Sequence, residues 1–80
     1  MKSLVLFSRE DCDLCERLSE ALSPLIAGRA TLETVDIDDD PALVRRYGLR
    51  IPVLVGGDNE LSGFPLDVDR VERYLVDSDG

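Results

Sequence analysis

The sequence predicts an α/β fold: a four-stranded mixed sheet in the chain order βαβαββα, with helices on both faces. Three observations predict it. Short apolar or β-branched runs alternate with segments of three- and four-residue apolar spacing through the first half. A glycine-rich turn then separates two strand-like runs, and a helix-period segment follows them. Finally, 80 residues suffice for one core and not for two, so a single domain over 1–80 is expected.

Each element has its own signal. Residues 3–7 (Ser-Leu-Val-Leu-Phe) are an apolar run between polar neighbours, as in a strand buried on both faces. From Asp13 onward, Leu14, Leu18, Ala21, Leu22, Leu25 and Ile26 recur with helical period; Pro24 should kink or end that helix, and Gly28 stops it. Leu32 to Ile37 is β-branched enough for a second strand. Asp40-Pro41 is a capping carboxylate followed by proline at the first helical position, and Gly48 ends that short helix. Ile51 to Val55 predicts a third strand, Gly56-Gly57-Asp58-Asn59 a turn, and Glu60 to Ser62 an antiparallel edge strand. The last helix should start at Asp67, bury Val68, Val71 and Leu75, and fray over 77–80. A strand–helix–strand order implies a right-handed crossover between parallel strands.

Composition removes whole classes of function. Leu, Ile, Val and Phe supply 26 of the 80 residues, too many for a disordered tail. No apolar run approaches the ~18–20 residues that span a bilayer, and Leu4 to Phe7 is too short for a secretory signal. A membrane partner is therefore not expected, and a cytoplasmic setting is. The net charge of −8 repels phosphates, which argues against nucleic acid. Histidine is absent, so imidazole contributes neither a base nor a zinc ligand, and no metal site is expected. The run Asp36 to Asp40 has a calcium-loop look. It fails as one, because Pro41 stands where the turn glycine belongs and Tyr47 where the bidentate glutamate belongs.

What remains is the pair Cys12 and Cys15, between the first strand and the first helix. Cys12 falls at the helix N-terminus, where free amides and the helix dipole favour a thiolate, the form that attacks disulfides. Cys15, one turn on, is within reach of closing a disulfide with it. Three other readings compete. A structural disulfide closing four residues would contribute only about 2 kcal/mol in the chain-entropy model. A zinc site would need a second chain to complete four ligands. Two inert core cysteines fit Cys15 better than Cys12. Redox chemistry is favoured over all three.

Ser8-Arg9-x-x-Cys12-x-x-Cys15 between strand and helix, with Ile51-Pro52 before a later strand, resembles the glutaredoxin-like branch of the thioredoxin fold, particularly its short bacterial members. The likeness covers essentially the whole chain. It implies a thioredoxin-like fold and a thiol–disulfide oxidoreductase: Cys12 attacks, Cys15 resolves, and a disulfide-bearing protein or small thiol is the partner of a monomer. It implies that Pro52 is the family's cis-proline and that Ile51 offers backbone groups to an extended substrate; an ordinary trans proline starting an edge strand is the plainer alternative. Gly63 is similar to the glycine of the glutathione-binding corner, and Arg9 to the family's carboxylate-facing cation. A tight turn and a solvated charge are their plainer alternatives. Glutathione is thus a candidate co-substrate, with no tightly bound cofactor expected. The family's Gly-Gly-acidic corner is here Gly63-Phe64-Pro65, and its Pro-Tyr between the cysteines is Asp13-Leu14.

The acidic neighbours oppose glutathione on physical grounds. Glu10, Asp11, Asp13 and Glu16 surround the attacking sulfur in sequence. An exposed carboxylate ~7 Å away costs a thiolate about 0.6–1 kcal/mol. Several would offset much of the helix-terminus benefit and repel an anionic tripeptide. The Cys12 thiol is therefore expected to be lowered from its free value, but not to the level of the strongest disulfide oxidants. The alternative to an enzyme is a binding module or redox sensor of thioredoxin fold, including one that ligates an iron–sulfur cluster with glutathione.

Overall fold

The computed structural model describes residues 2–77. Its sheet has the strand order β2-β1-β3-β4, built from β1 (Lys2–Ser8), β2 (Ala30–Asp36), β3 (Val53–Gly56) and β4 (Asn59–Ser62). β1 runs parallel to β2 and antiparallel to β3, and β3 is antiparallel to β4. Three helices cover it: α1 (Asp13–Ile26), α2 (Pro41–Tyr47) and α3 (Val68–Asp77), with a 3₁₀ turn at Ile37–Asp39. No described helix is long and apolar enough to cross a membrane.

Alternation along β1 divides the interior in two. Leu4 and Leu6 point to one face, where they meet Leu54 and Leu61 of the sheet, Leu18, Leu22 and Ile26 of α1, and Val71 and Leu75 of α3. Phe7 points to the other, packing with Val53, Ile37, Tyr47 and the half-buried Leu43, Val44, Ile51 and Val55. The Phe7 and Tyr47 rings stack there with centroids 4.5 Å apart. Between Leu54 and Val55 the β3–β4 register shifts by a bulge, beside the buried Leu61.

Several boundaries differ from expectation, each for a local reason. α1 runs through Pro24 to Ile26; Pro24 is exposed and two residues from the end, where solvent can take the carbonyl its missing N–H leaves free. Leu14 and Ala21 face solvent, so the buried stripe is Cys15, Leu18, Leu22 and Ile26. The second strand ends at Asp36, whose side chain caps the following 3₁₀ turn by accepting from the Asp38 amide at 2.9 Å. The third strand begins at Val53 rather than Ile51. Gly56 belongs to it, because only a residue without Cβ fits beneath the Tyr74 ring; a Cβ there would lie 2.7 Å from that ring. The turn proper is at Gly57 and Asp58, with Gly57 at φ +60°. α3 follows Asp67, whose carboxylate accepts from the Arg70 amide, as expected of a cap, but Val68 is half-exposed. Of the fraying expected over 77–80, residues 78–80 lie outside the described residues.

Arg29, just before β2, ties that strand to α3 through Nη1–Oε2 and Nη2–Oε1 bonds of 3.1 and 2.8 Å to Glu72. Those bonds hold the Glu72 carboxyl below its usual range. A carboxyl with a lowered folded pKa stabilises fully above its unfolded value, about 4.3, and loses that contribution as pH falls through the folded one. Both groups are partly exposed, so the effect is small. Glu72→Gln should melt slightly below the unsubstituted protein at pH 7, with the gap closing between about pH 5 and 3. A gap that persists unchanged at the acid end would contradict this linkage.

Candidate active site

The site lies at one end of the sheet, outside the carboxyl ends of the parallel pair β1 and β2. Cys12 is the N-cap of α1, with extended φ and ψ of −99° and 99°. Its Sγ accepts a hydrogen bond from the Cys15 amide at 3.1 Å, and its carbonyl accepts from the Glu16 amide. A helix needs such an acceptor for its first amides, and sulfur fills the place usually held by an oxygen. The same amide stabilises negative charge when that sulfur is a thiolate. The residue before it, Asp11, holds a left-handed backbone at φ 59°, which turns the chain into the helix.

The two cysteines form a disulfide, with their Cα atoms 5.2 Å apart. They differ in access. Cys12 is partly exposed, whereas Cys15 is only 4% exposed and belongs to the buried stripe of α1. One sulfur is thus placed to meet an outside partner and the other to meet only the first.

Both line a cleft of about 500 Å³ with Arg9, Glu10, Asp11, Glu16, Ser19, Thr34 and Asp36. Asp36 and Thr34 were not legible as neighbours of the cysteines, because the β1–β2 register, which sets Ser8 opposite Asp36, brings them there. Asp13 is not on the rim; it pairs along the helix with Arg17 at 3.0 Å. Arg9 reaches Asp38 of the 3₁₀ turn with Nε at 3.0 and 3.1 Å and Nη2 at 2.7 Å. These bonds raise its pKa further and engage Nε and Nη2, so Arg9 is an ion-paired cation that is still 36% exposed.

Ile51, Pro52 and Gly63 sit at the same sheet end, by register rather than by sequence. Phe7 pairs with Val53, so the residues just before β3 arrive beside the Cys12 loop. The Ile51–Pro52 peptide is cis, Pro52 is fully buried, and Ile51 packs against the Tyr47 cluster. A second cis bond, Phe64–Pro65, was not anticipated. Gly63 has no left-handed backbone, and a Cβ there would meet only the Pro52 carbonyl at an ordinary 3.5 Å. It lines a separate cleft of about 600 Å³ with Arg50, Val53, Glu60, Ser62 and Asp67. Arg50 in that cleft pairs with Glu60. Among the described residues no group of three or more His, Cys, Asp or Glu is arranged to hold a metal ion.

The family profile described as glutaredoxin-like domain (DUF836) matches residues 3–76. No curated protein matches the sequence. Among solved structures, a structural-genomics target protein from X. campestris is 41% identical, with 91% of this chain and 95% of that one covered and a TM-score of 0.66. Trichomonas vaginalis thioredoxin is 26% identical over 92% of this chain and 76% of its own, with a TM-score of 0.56. A buckwheat glutaredoxin in complex with glutathione is 24% identical over 92% and 68%, also at 0.56, which speaks to the fold.

Proposed function

We propose that this chain, which belongs to the glutaredoxin-like family DUF836, is a thiol–disulfide oxidoreductase working through the Cys12–Cys15 couple. The observation that carries this is the asymmetry of the pair: a partly exposed sulfur capping a helix, and a buried one bonded to it. In the reduced protein the Cys12 thiolate attacks one sulfur of a substrate disulfide. A Cys12–substrate disulfide forms, and the other substrate sulfur leaves as a thiolate and takes a proton. Cys15, deprotonated, then attacks Cys12 Sγ; the internal disulfide closes and the second substrate thiol departs. Two electrons have moved from the protein dithiol to the substrate, and an external dithiol or thiol must restore them.

Ile51 and Pro52 are assigned to hold an incoming segment as an added strand, through the Ile51 carbonyl, because the Ile51 amide already donates to the Tyr47 carbonyl at 3.1 Å. Gly63 and Arg9 are assigned to a carboxylate-bearing thiol such as glutathione only as secondary contacts, since Arg9 is already engaged by Asp38.

Cys15→Ser tests the cycle. Mixed with a small disulfide, it should retain one substrate thiol per protein by intact mass, while the unsubstituted protein returns to its internal disulfide. Absence of both a trapped adduct and any turnover with dithiol or glutathione reducing systems would overturn the proposal. The couple's potential then sorts its role: about −270 mV suits thioredoxin-like reduction, and about −200 to −230 mV suits glutaredoxin-like exchange.

A further inference from the structure

The cysteine cleft carries an imbalance of charge that disulfide exchange by itself does not require. Glu10, Asp11, Glu16 and Asp36 line it, against a single cation. That cation, Arg9, is paired with Asp38 through Nε and Nη2. Glu10, Asp11 and Glu16 come from the turn after β1 and the first turn of α1, and the β1–β2 register adds Asp36 to them. The start of α3, a second place where an anion might be received, is closed from within. Asp67 accepts from the Arg70 amide at 3.1 Å, and the Asp67 amide donates to Ser62 Oγ at 2.8 Å.

Resting on the oxidoreductase reading above, we infer that this cleft selects disulfides flanked by positive charge and rejects those flanked by carboxylates. A carboxylate brought to Cys12 meets four of its own sign, and the cleft's one cation already has a partner. An ammonium or guanidinium beside the scissile disulfide gains from the same field, which concave walls concentrate. The exchange step is the one written above: the Cys12–substrate bond forms as the substrate S–S bond breaks, and the leaving sulfur is protonated. Charge acts on encounter and on the mixed disulfide. A basic polypeptide segment and a small aminothiol disulfide both carry this chemistry.

The test uses the full reduced chain and three small disulfides: cystamine, bis(2-hydroxyethyl) disulfide and 3,3′-dithiodipropionate. Each second-order rate is divided by that of dithiothreitol on the same probe, which removes intrinsic reactivity. The cationic probe should lead the neutral one and the anionic probe should trail, spanning about tenfold at low ionic strength. The span should shrink several-fold near 1 M salt. The combined variant Glu10→Gln, Asp11→Asn, Glu16→Gln should compress the span, measured against its own neutral-probe rate. Disulfide peptides flanked by lysine or by glutamate separate the sources. A span in both sets supports selection of any cationic disulfide; one confined to peptides supports a polypeptide substrate. No reaction with any of the probes overturns the parent reading. Reaction with an equal or reversed order of the charged probes, in both sets, overturns the inference and leaves the parent standing.

Discussion

Cys12→Ser is expected to abolish disulfide exchange, lowering the rate by at least ~10³-fold, without loss of the fold. A serine hydroxyl is almost wholly protonated near neutral pH and does not attack disulfides, whereas a thiol supplies its thiolate. The substitution is otherwise mild. Serine is among the preferred N-cap residues, and its oxygen can accept the Cys15 amide that Cys12 Sγ accepts now. Far-ultraviolet circular dichroism and the urea midpoint of the reduced proteins should therefore match closely. Cys15→Ser differs in kind: it keeps the first step and loses the second. Equal turnover by the Cys12→Ser protein would show that the sulfur at the helix mouth is not the attacking group.

Leu54→Ala should bring the largest loss of stability. Leu54 is fully buried at the centre of the sheet, facing α1 and α3. Removing it loses transfer free energy and leaves a cavity, together about 2–5 kcal/mol. A domain of this size holds only about 4–12 kcal/mol in total. With a urea slope of about 1–1.5 kcal/mol/M, the midpoint should fall by roughly 1.3 M or more. Leu49→Ala is the matched control, since Leu49 is wholly exposed in the α2–β3 connection; its effect should stay within about 0.5 kcal/mol. Midpoints that move equally would mean the interior is not packed as described.

Those two leucines also show what sequence can and cannot tell. Leu54 sits in an apolar run, and Leu49 follows a helix-ending glycine; only the fold decides that one is core and the other fully open. Signals carried by neighbouring residues were legible. Asp40-Pro41 begins α2 with the Asp40 side chain accepting from the Ala42 amide, and the cysteine pair begins α1. Signals that depend on pairing distant segments were not. The Asp36 contribution to the cleft needs the β1–β2 register, and Arg9's partner needs the 3₁₀ turn 29 residues on. The acidic surroundings of Cys12 are legible in its chain neighbours, while the pairing of Asp13 with Arg17 follows from helical spacing. The apolar run predicts a strand from Ile51, whereas the ladder begins only at Val53.

The position of β1 governs how the chain acquires its shape while it is being made. Among the described elements β1 precedes the other strands in the chain, yet it lies in the interior of the sheet between β2 and β3. Until residue 56 has been added, nothing exists on one of its flanks, and until Leu75 has been added the α3 side of the core stays uncovered. Nascent lengths between those points carry both cysteines on an unfinished scaffold. Completion of the core thus waits on pairings between segments distant in sequence.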